Sequence, residues 1–219
     1  MKSLLPLALL AAGCGDGGGP SSPDGNSSSD AASSSDAGPV PHGLLVTWKA
    51  SPALPGPLKT DLTVTSATFN ISRLQVIGDS GQPKTSAFPI VWSAETFGDP
   101  PTIGFSSAPG GLYSQVTIEM QQVGMASYDI RGTVKVGSTT KPFHIRDTAE
   151  VTIDITGYNV AFSPGSDAIL PIKVDLRPPI ESVDFAIVQD MNGTLEMGPT
   201  DPQMSELRDK LDDAFKRGP

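Results

Sequence analysis

Leu112-Tyr113-Ser114-Gln115-Val116-Thr117-Ile118-Glu119-Met120 carries the reading of the fold. Its apolar members Leu112, Val116, Ile118 and Met120 alternate with Tyr113, Gln115, Thr117 and Glu119, the period of two with which a strand buries one face and wets the other. The pattern returns in Ile130, Val134 and Val136 against Asp129, Arg131, Thr133 and Lys135. It returns again in Val151, Ile153 and Ile155 against Thr152, Asp154 and Thr156, and in Ile172, Val174 and Leu176 against Lys173, Asp175 and Arg177. One-sided burial predicts antiparallel sheets packed face to face, because strands of a parallel sheet covered by helices read as continuous apolar runs. The expected fold class is all-β, an antiparallel β-sandwich over residues 43–200 followed by a short C-terminal α-helix over 201–219.

Asp61 to Ile77 is less regular. Its apolar residues fall as Leu62 and Val64, then Phe69 and Ile71, then Leu74 and Val76, so the phase flips twice. Each flip predicts a bulge or break, at Ser66 to Thr68 and at Ser72 to Arg73, and a strand that changes phase can pass from one sheet to the other. Turn chemistry punctuates the rest at Gly78-Asp79-Ser80-Gly81, Pro109-Gly110-Gly111, Arg177-Pro178-Pro179 and Met191-Asn192-Gly193-Thr194. The Asn-Gly pair predicts a hairpin between Val183–Val188 and Leu195–Met197. At the C-terminal end, Asp201 before Pro202 reads as a cap with proline in the first helical position. Met204, Leu207, Leu211 and Phe215 follow at helical spacing, with Gly218 as the stop. Opposite charges four apart, such as Arg208/Asp212 and Asp213/Arg217, sit on the other side, so the apolar stripe is expected to pack on its own domain.

The opposite end of the chain reads differently. Lys2, the apolar run from Leu4 to Leu10 and the small residues Ala11, Ala12 and Gly13 have the layout of a secretory signal, too short to span a bilayer. Cys14, the single cysteine, follows at once. Leu10-Ala11-Ala12-Gly13-Cys14 resembles the lipobox of bacterial lipoproteins, with Ala11 where Leu is commoner. The resemblance implies that residues 1–13 are a lipoprotein signal peptide and Cys14 the lipid-attachment residue, with several acyl chains as the anchor, since one short chain holds a protein only marginally. An ordinary secretory signal followed by an incidental thiol is the alternative. Residues 14–42, rich in Gly, Ser and Asp and nearly free of large apolar side chains, cannot bury enough surface to offset their ordering entropy and read as a disordered tether. The expected location is a bacterial cell envelope, on the outer membrane.

The chain carries a formal net charge of −9, one unit more negative once Lys2 is removed. No run of Lys and Arg forms a stripe along it, which argues against nucleic acid as a partner and gives no support to adhesion on anionic headgroups by charge. With Cys14 committed to the anchor no cysteine remains for a disulfide, so the fold relies on its core.

Residues that could carry chemistry are few. The histidines are His42 and His144. They are not at metal-ligand spacing, Gly-x-Ser-x-Gly is absent, and His144 is the one plausible base of a hydrolase built with Asp or Glu. Asp190 to Glu196 places oxygen ligands around a glycine but lacks the full calcium-loop pattern, and an Asn-Gly turn explains it. Gly17–Gly19 has no flanking strand and helix to make a phosphate loop. Sugar binding would need exposed aromatics, for which Trp48, Trp92, Tyr113, Tyr128 and Tyr158 are the candidates, although the indoles are better suited to filling the core. The runs Phe69 to Val76, Pro109 to Ile118, Val174 to Leu176 and Val183 to Phe185 look like a domain family of unknown function found in prokaryotic lipoproteins. The resemblance implies a transthyretin-like or immunoglobulin-like sandwich and supplies no activity. The expected function is therefore a lipid-anchored, non-enzymatic binding or structural module with no catalytic residues, cofactor or metal. It would meet the membrane through its anchor and an envelope protein or a glycan through its domain. A carbohydrate-binding domain and a carboxylate/His hydrolase are the alternatives.

Overall fold

Residues 42–96 and 98–219 are described by the computed structural model, so the signal, Cys14, the Gly17–Gly19 triplet and the tether up to Pro41 lie outside the described residues. Alternation of buried and exposed side chains sorts the chain into strands, which are, in order, β1 (Leu44–Ala50), β2 (Gly56–Lys59), β3 (Leu62–Gly78), β4 (Phe88–Ser93), β5 (Ile103–Phe105), β6 (Gly111–Met120), β7 (Tyr128–Val136), β8 (Thr139–Asp147), β9 (Val151–Phe162) and β10 (Ala168–Val174). Then come α1 (Arg177–Glu181), β11 (Asp190–Met191), β12 (Thr194–Met197), α2 (Met204–Asp212) and β13 (Phe215–Arg217). They form two sheets, one of four strands in the order β13-β10-β1-β5 and one of nine built around β3. The fold is an all-β sandwich with a short helix near its C-terminal end. Two pairings, β1 with β10 and β12 with β8, are parallel within these otherwise antiparallel sheets.

β3 is the spine of the larger sheet. Leu62 to Phe69 pair with β7 and Ile71 to Gly78 with β6, so β6 and β7 lie end to end along it. The Asn70 peptide holds their junction: its N–H donates to the Ser127 carbonyl (2.8 Å) and its carbonyl accepts from the Gln121 N–H (3.1 Å). β9 beside β6 and β8 beside β7 repeat the arrangement one strand further out. The phase flips are present as register shifts between Val64 and Ser66 and between Ile71 and Arg73, the first slightly earlier than the sequence suggests. They keep Leu62, Val64, Ala67, Phe69, Ile71, Leu74 and Val76 all buried. β3 does not cross between sheets.

The inner faces share one core, in which Phe69 of the larger sheet meets Phe215 of the smaller edge to face at 5.3 Å. Such pairs add to the area burial that drives the packing.

Four expectations are corrected. A register shift between Tyr113 and Gln115 turns Tyr113 inward and leaves Leu112 exposed, opposite to the simple alternation. Arg177-Pro178-Pro179 starts a helix rather than a turn, as prolines at the first helical positions allow. The Asn192-Gly193 hairpin exists, with φ of 57° and 90°, the mirror-image turn that fits twisted strands. Its first strand is only Asp190–Met191, however, while Val183–Val188 is irregular. Finally, α2 starts at Met204 after Gln203, with Asp201 Oδ1 accepting from the Gln203 N–H (2.9 Å) instead of capping at the helix start. It ends at Asp212, and Phe215 joins the small sheet as part of β13. Met204, Leu207 and Leu211 are buried, so α2 packs on its own domain.

Candidate functional site

The sequence-derived candidates fall in separate places. Cys14 lies outside the described residues. His144, on β8, sits between β7 and β12, with Nε2 2.9 Å from Asp129 Oδ2 and Nδ1 3.1 Å from Glu196 Oε2. Arg131 Nε closes the row on Asp129 Oδ1 at 2.9 Å. Burial pushes the Asp129 carboxyl up, but the Arg131 and His144 hydrogen bonds outweigh it and hold the group below its ordinary value. A general base needs a nitrogen free to reach a substrate proton. Nε2 is hydrogen-bonded to Asp129 and Nδ1 faces Glu196, so the geometry is a cross-strand clasp. His42, at the root of β1, stands 3.4 Å from Asp167 and away from His144.

All five aromatic candidates are buried: Trp48 is 2% exposed, Tyr158 5%, and Trp92, Tyr113 and Tyr128 0%. Tyr113 donates to the Pro109 carbonyl (2.7 Å) and Tyr158 to the Pro171 carbonyl (2.8 Å), while the two indole N–H groups find no acceptor. These rings are core, and they form no sugar-stacking platform. Asp190 accepts from Lys141 Nζ (2.6 Å) and from the Gly193 N–H (2.8 Å), which are the bonds of a hairpin corner. Among the described residues no group of three His, Cys, Asp or Glu side chains is arranged to hold a metal ion.

A polar cluster invisible to pattern reading lies under α2. Asp147, at the end of β8, is fully buried, and Arg208 grips it with Nε to Oδ2 at 2.6 Å and Nη2 to Oδ1 at 2.8 Å. Tyr128 Oη donates to Oδ2 (3.0 Å), and the Thr148 and Ala149 N–H groups donate to Oδ1 (2.8 and 3.2 Å). Burial would raise this carboxyl, but Arg208 first, then Ala149, Tyr128 and Thr148, bring it below the ordinary carboxylate value. The same burial, with the Asp147 charge beside it, pushes the Tyr128 phenol up. Every lone pair has a donor, so the cluster binds helix to sheet and leaves nothing for a ligand.

The outer face of the small sheet is different. Register sets Lys49 of β1 opposite Lys173 of β10, and Lys173 opposite Lys216 of β13. Alternation requires it, since Val46, Trp48 and Ala50 point inward and leave Thr47 and Lys49 outside. The basic stripe missing from the linear sequence is thus assembled across strands. Lys216 has Asp213 at 3.9 Å, and Arg217 donates to the Gly157 carbonyl. Asp175 beside Lys173 is engaged by Arg177 at 2.9 and 2.5 Å. That bond, more than the Lys173 charge, holds its carboxyl below the usual range. Among the described residues, no ion pair involves Lys49 or Lys173. Lys49 and Lys173 line a groove of about 740 Å³ together with Thr47, Ser51 and Arg217. Like charges on neighbouring strands repel, and Asp175 beside Lys173 offsets only part of that repulsion.

Searches of protein-family models, curated proteins and solved structures yielded no match to the chain.

Proposed function

We propose that the chain is a lipid-anchored, non-enzymatic binding module of a bacterial cell envelope, attached through Cys14, whose binding face is the outer surface of the β13-β10-β1 sheet. One observation carries the binding half of this reading: Lys49 and Lys173 stand side by side without a carboxylate partner on a chain of net charge −9, above a groove within the size range of ligand sites. Two ammonium groups outside any ion pair beside a recess favour an incoming anion, although Asp175 lies near Lys173. Support for the anchor comes from the apolar run ending at Cys14.

The hydrolase alternative loses support from the double clasp on His144, and the aromatic form of the sugar alternative from the burial of Trp48 and Trp92. The anchor is tested by metabolic labelling with a clickable fatty acid in a bacterial host. The wild type is expected to take up label and Cys14→Ala to take up none. Label retained by Cys14→Ala would overturn lipid attachment at this residue, whatever the groove binds.

A further inference from the structure

Asn192 and Gly193 form the corner of the β11–β12 hairpin, and their order carries a chemistry of its own. The peptide nitrogen after an asparagine can attack the carbonyl carbon of that asparagine's side chain, and glycine, with no Cβ, obstructs the approach least. The sequence holds three other asparagines. Asn70 precedes Ile71 and Asn159 precedes Val160, whose branched side chains crowd the nitrogen, and both asparagines lie within strands. Asn26 precedes Ser27 and lies outside the described residues. Asn192 and Gly193 are exposed, and a Cβ built on Gly193 would meet no atom within 4 Å, so side-chain packing does not hold the corner shut.

A hydrogen bond holds it instead. The Gly193 N–H donates to Asp190 Oδ1 at 2.8 Å, while Lys141 Nζ donates to Asp190 Oδ2 at 2.6 Å and fixes the carboxylate from β8. Lys141 first, then the Gly193 N–H, keeps the Asp190 carboxyl below its usual range, so it is ionised at neutral pH. Once a peptide nitrogen loses its proton, its attacking lone pair lies along the former N–H direction. An N–H aimed at Asp190 is therefore not aimed at the Asn192 side chain. The ionised carboxylate also opposes the negative charge that the nitrogen must take on before it attacks.

We propose that Asn192 is a deamidation site of this chain and that Asp190 is the latch that restrains it. In the reaction the Gly193 nitrogen loses its proton to solvent and bonds to Asn192 Cγ, the Cγ–Nδ2 bond breaks, and ammonia leaves with a proton taken from water. Water then opens the cyclic imide at either carbonyl, giving aspartate or isoaspartate at this position. Both products place a carboxylate near Asp190. Isoaspartate also adds a methylene to the main chain, which a two-residue mirror-image turn cannot absorb while keeping Met191 paired with Thr194. The inference depends on neither the lipid anchor nor the binding face.

The test incubates the full-length chain at mildly alkaline pH and follows each asparagine by peptide mass spectrometry, with isoaspartate scored by its specific methyltransferase. Wild type and Asp190→Ala are compared folded and in guanidinium chloride. Asn192 is expected to convert ahead of Asn70 and Asn159 in every sample, and in the wild type faster unfolded than folded. In the folded chain Asp190→Ala should speed conversion at Asn192 about fivefold, the factor equivalent to one hydrogen bond of about 1 kcal/mol. In denaturant the two chains should convert at equal rates, because the latch exists only in the fold. Asn192 that converts no faster than Asn70 and Asn159 in the unfolded chain overturns the site. A wild type that converts equally fast folded and unfolded overturns the latch, and this comparison stands even where Asp190→Ala fails to fold. A folded Asp190→Ala that is no faster than the wild type, or slower because the carboxylate acts as a base, also overturns it. So does an excess that persists in denaturant, since it would then belong to the local sequence.

Discussion

Replacing Arg208 with methionine keeps most of the side-chain volume and removes the cation from the Asp147 carboxylate. Asp147 is wholly buried and receives two of its hydrogen bonds from that guanidinium, at 2.6 and 2.8 Å. Taking one partner from a buried pair costs about 3–5 kcal/mol, because the other charge is left desolvated. Tyr128 Oη and two backbone N–H groups stay on the carboxylate and soften the loss. The expected cost is therefore near the low end, about 3 kcal/mol, and at about 2–4 °C per kcal/mol for a domain of this size the melting temperature should drop by about 6–12 °C at pH 7. The effect should depend on pH in one direction only. Asp147 has a folded-state pKa below its unfolded value of about 3.9. Its stabilising contribution is complete above the unfolded value and is lost as pH falls through the lower folded one. The gap between wild type and Arg208→Met should thus be widest near neutrality and shrink below about pH 4. Asp147→Asn combined with Arg208→Met should recover part of the loss, since no bare charge is then buried. Thermal unfolding followed by circular dichroism across this range is the assay. A neutral-pH difference under about 2 °C, or a gap that stays constant down to acid pH, would refute the coupling.

Leu211, fully buried where α2 meets the core, should cost about 2–5 kcal/mol as Leu211→Ala by chemical denaturation, the range for emptying a core leucine site. A change under 1 kcal/mol would mean that α2 is loosely seated, because about 1 kcal/mol is already an ordinary substitution effect. Gly132 of β7 stands directly opposite Phe143 of β8. A Cβ there would stand 2.0 Å from the Thr63 carbonyl oxygen and 2.6 Å from the Phe143 ring, so Gly132→Ala should express poorly or melt several degrees lower. A variant as stable as the wild type would show that β3 and β7 are not held in this register.

Period-two alternation was enough to read β7, most of β6, the first half of β9 and the all-β class, because burial on one face writes itself directly into neighbouring residues. It failed where a bulge inserts one residue, as at Tyr113, since the sequence marks neither the bulge nor the change of face. It also failed at Val183–Val188, where an apolar run packs as irregular chain against the core: Val183, Phe185 and Val188 are buried without ladder partners. Phe215 fitted the helical spacing of Met204, Leu207 and Leu211 by coincidence of phase. β1 did carry a legible signal, in Leu44, Val46, Trp48 and Ala50 alternating with Thr47 and Lys49. Reading it would have placed Lys49 on an outer face. Nothing local could have placed Lys173 and Lys216 beside it, because the parallel β1–β10 pairing that does so joins segments more than a hundred residues apart.

Charged and polar side chains in this fold divide according to whether their partners are complete. Asp147 has a donor for each oxygen, His144 a carboxylate for each nitrogen, and Asp190 a lysine and a backbone N–H. Each can be accounted for by holding two elements together, and removing any of them should be felt as stability. The indole N–H groups of Trp48 and Trp92 lack partners but are enclosed by core, where no ligand can arrive. Lys49 and Lys173 differ on both counts, being unpaired and facing an open recess. Where a sequence breaks a local rule without structural return, the site is where function is to be sought. Selection for stability alone would place a glutamate opposite either lysine, turning a repulsive cross-strand pair into an attractive one. Lys173→Glu should accordingly raise the melting temperature slightly while abolishing anion binding, whereas a face kept only for solvation would gain the stability and lose nothing.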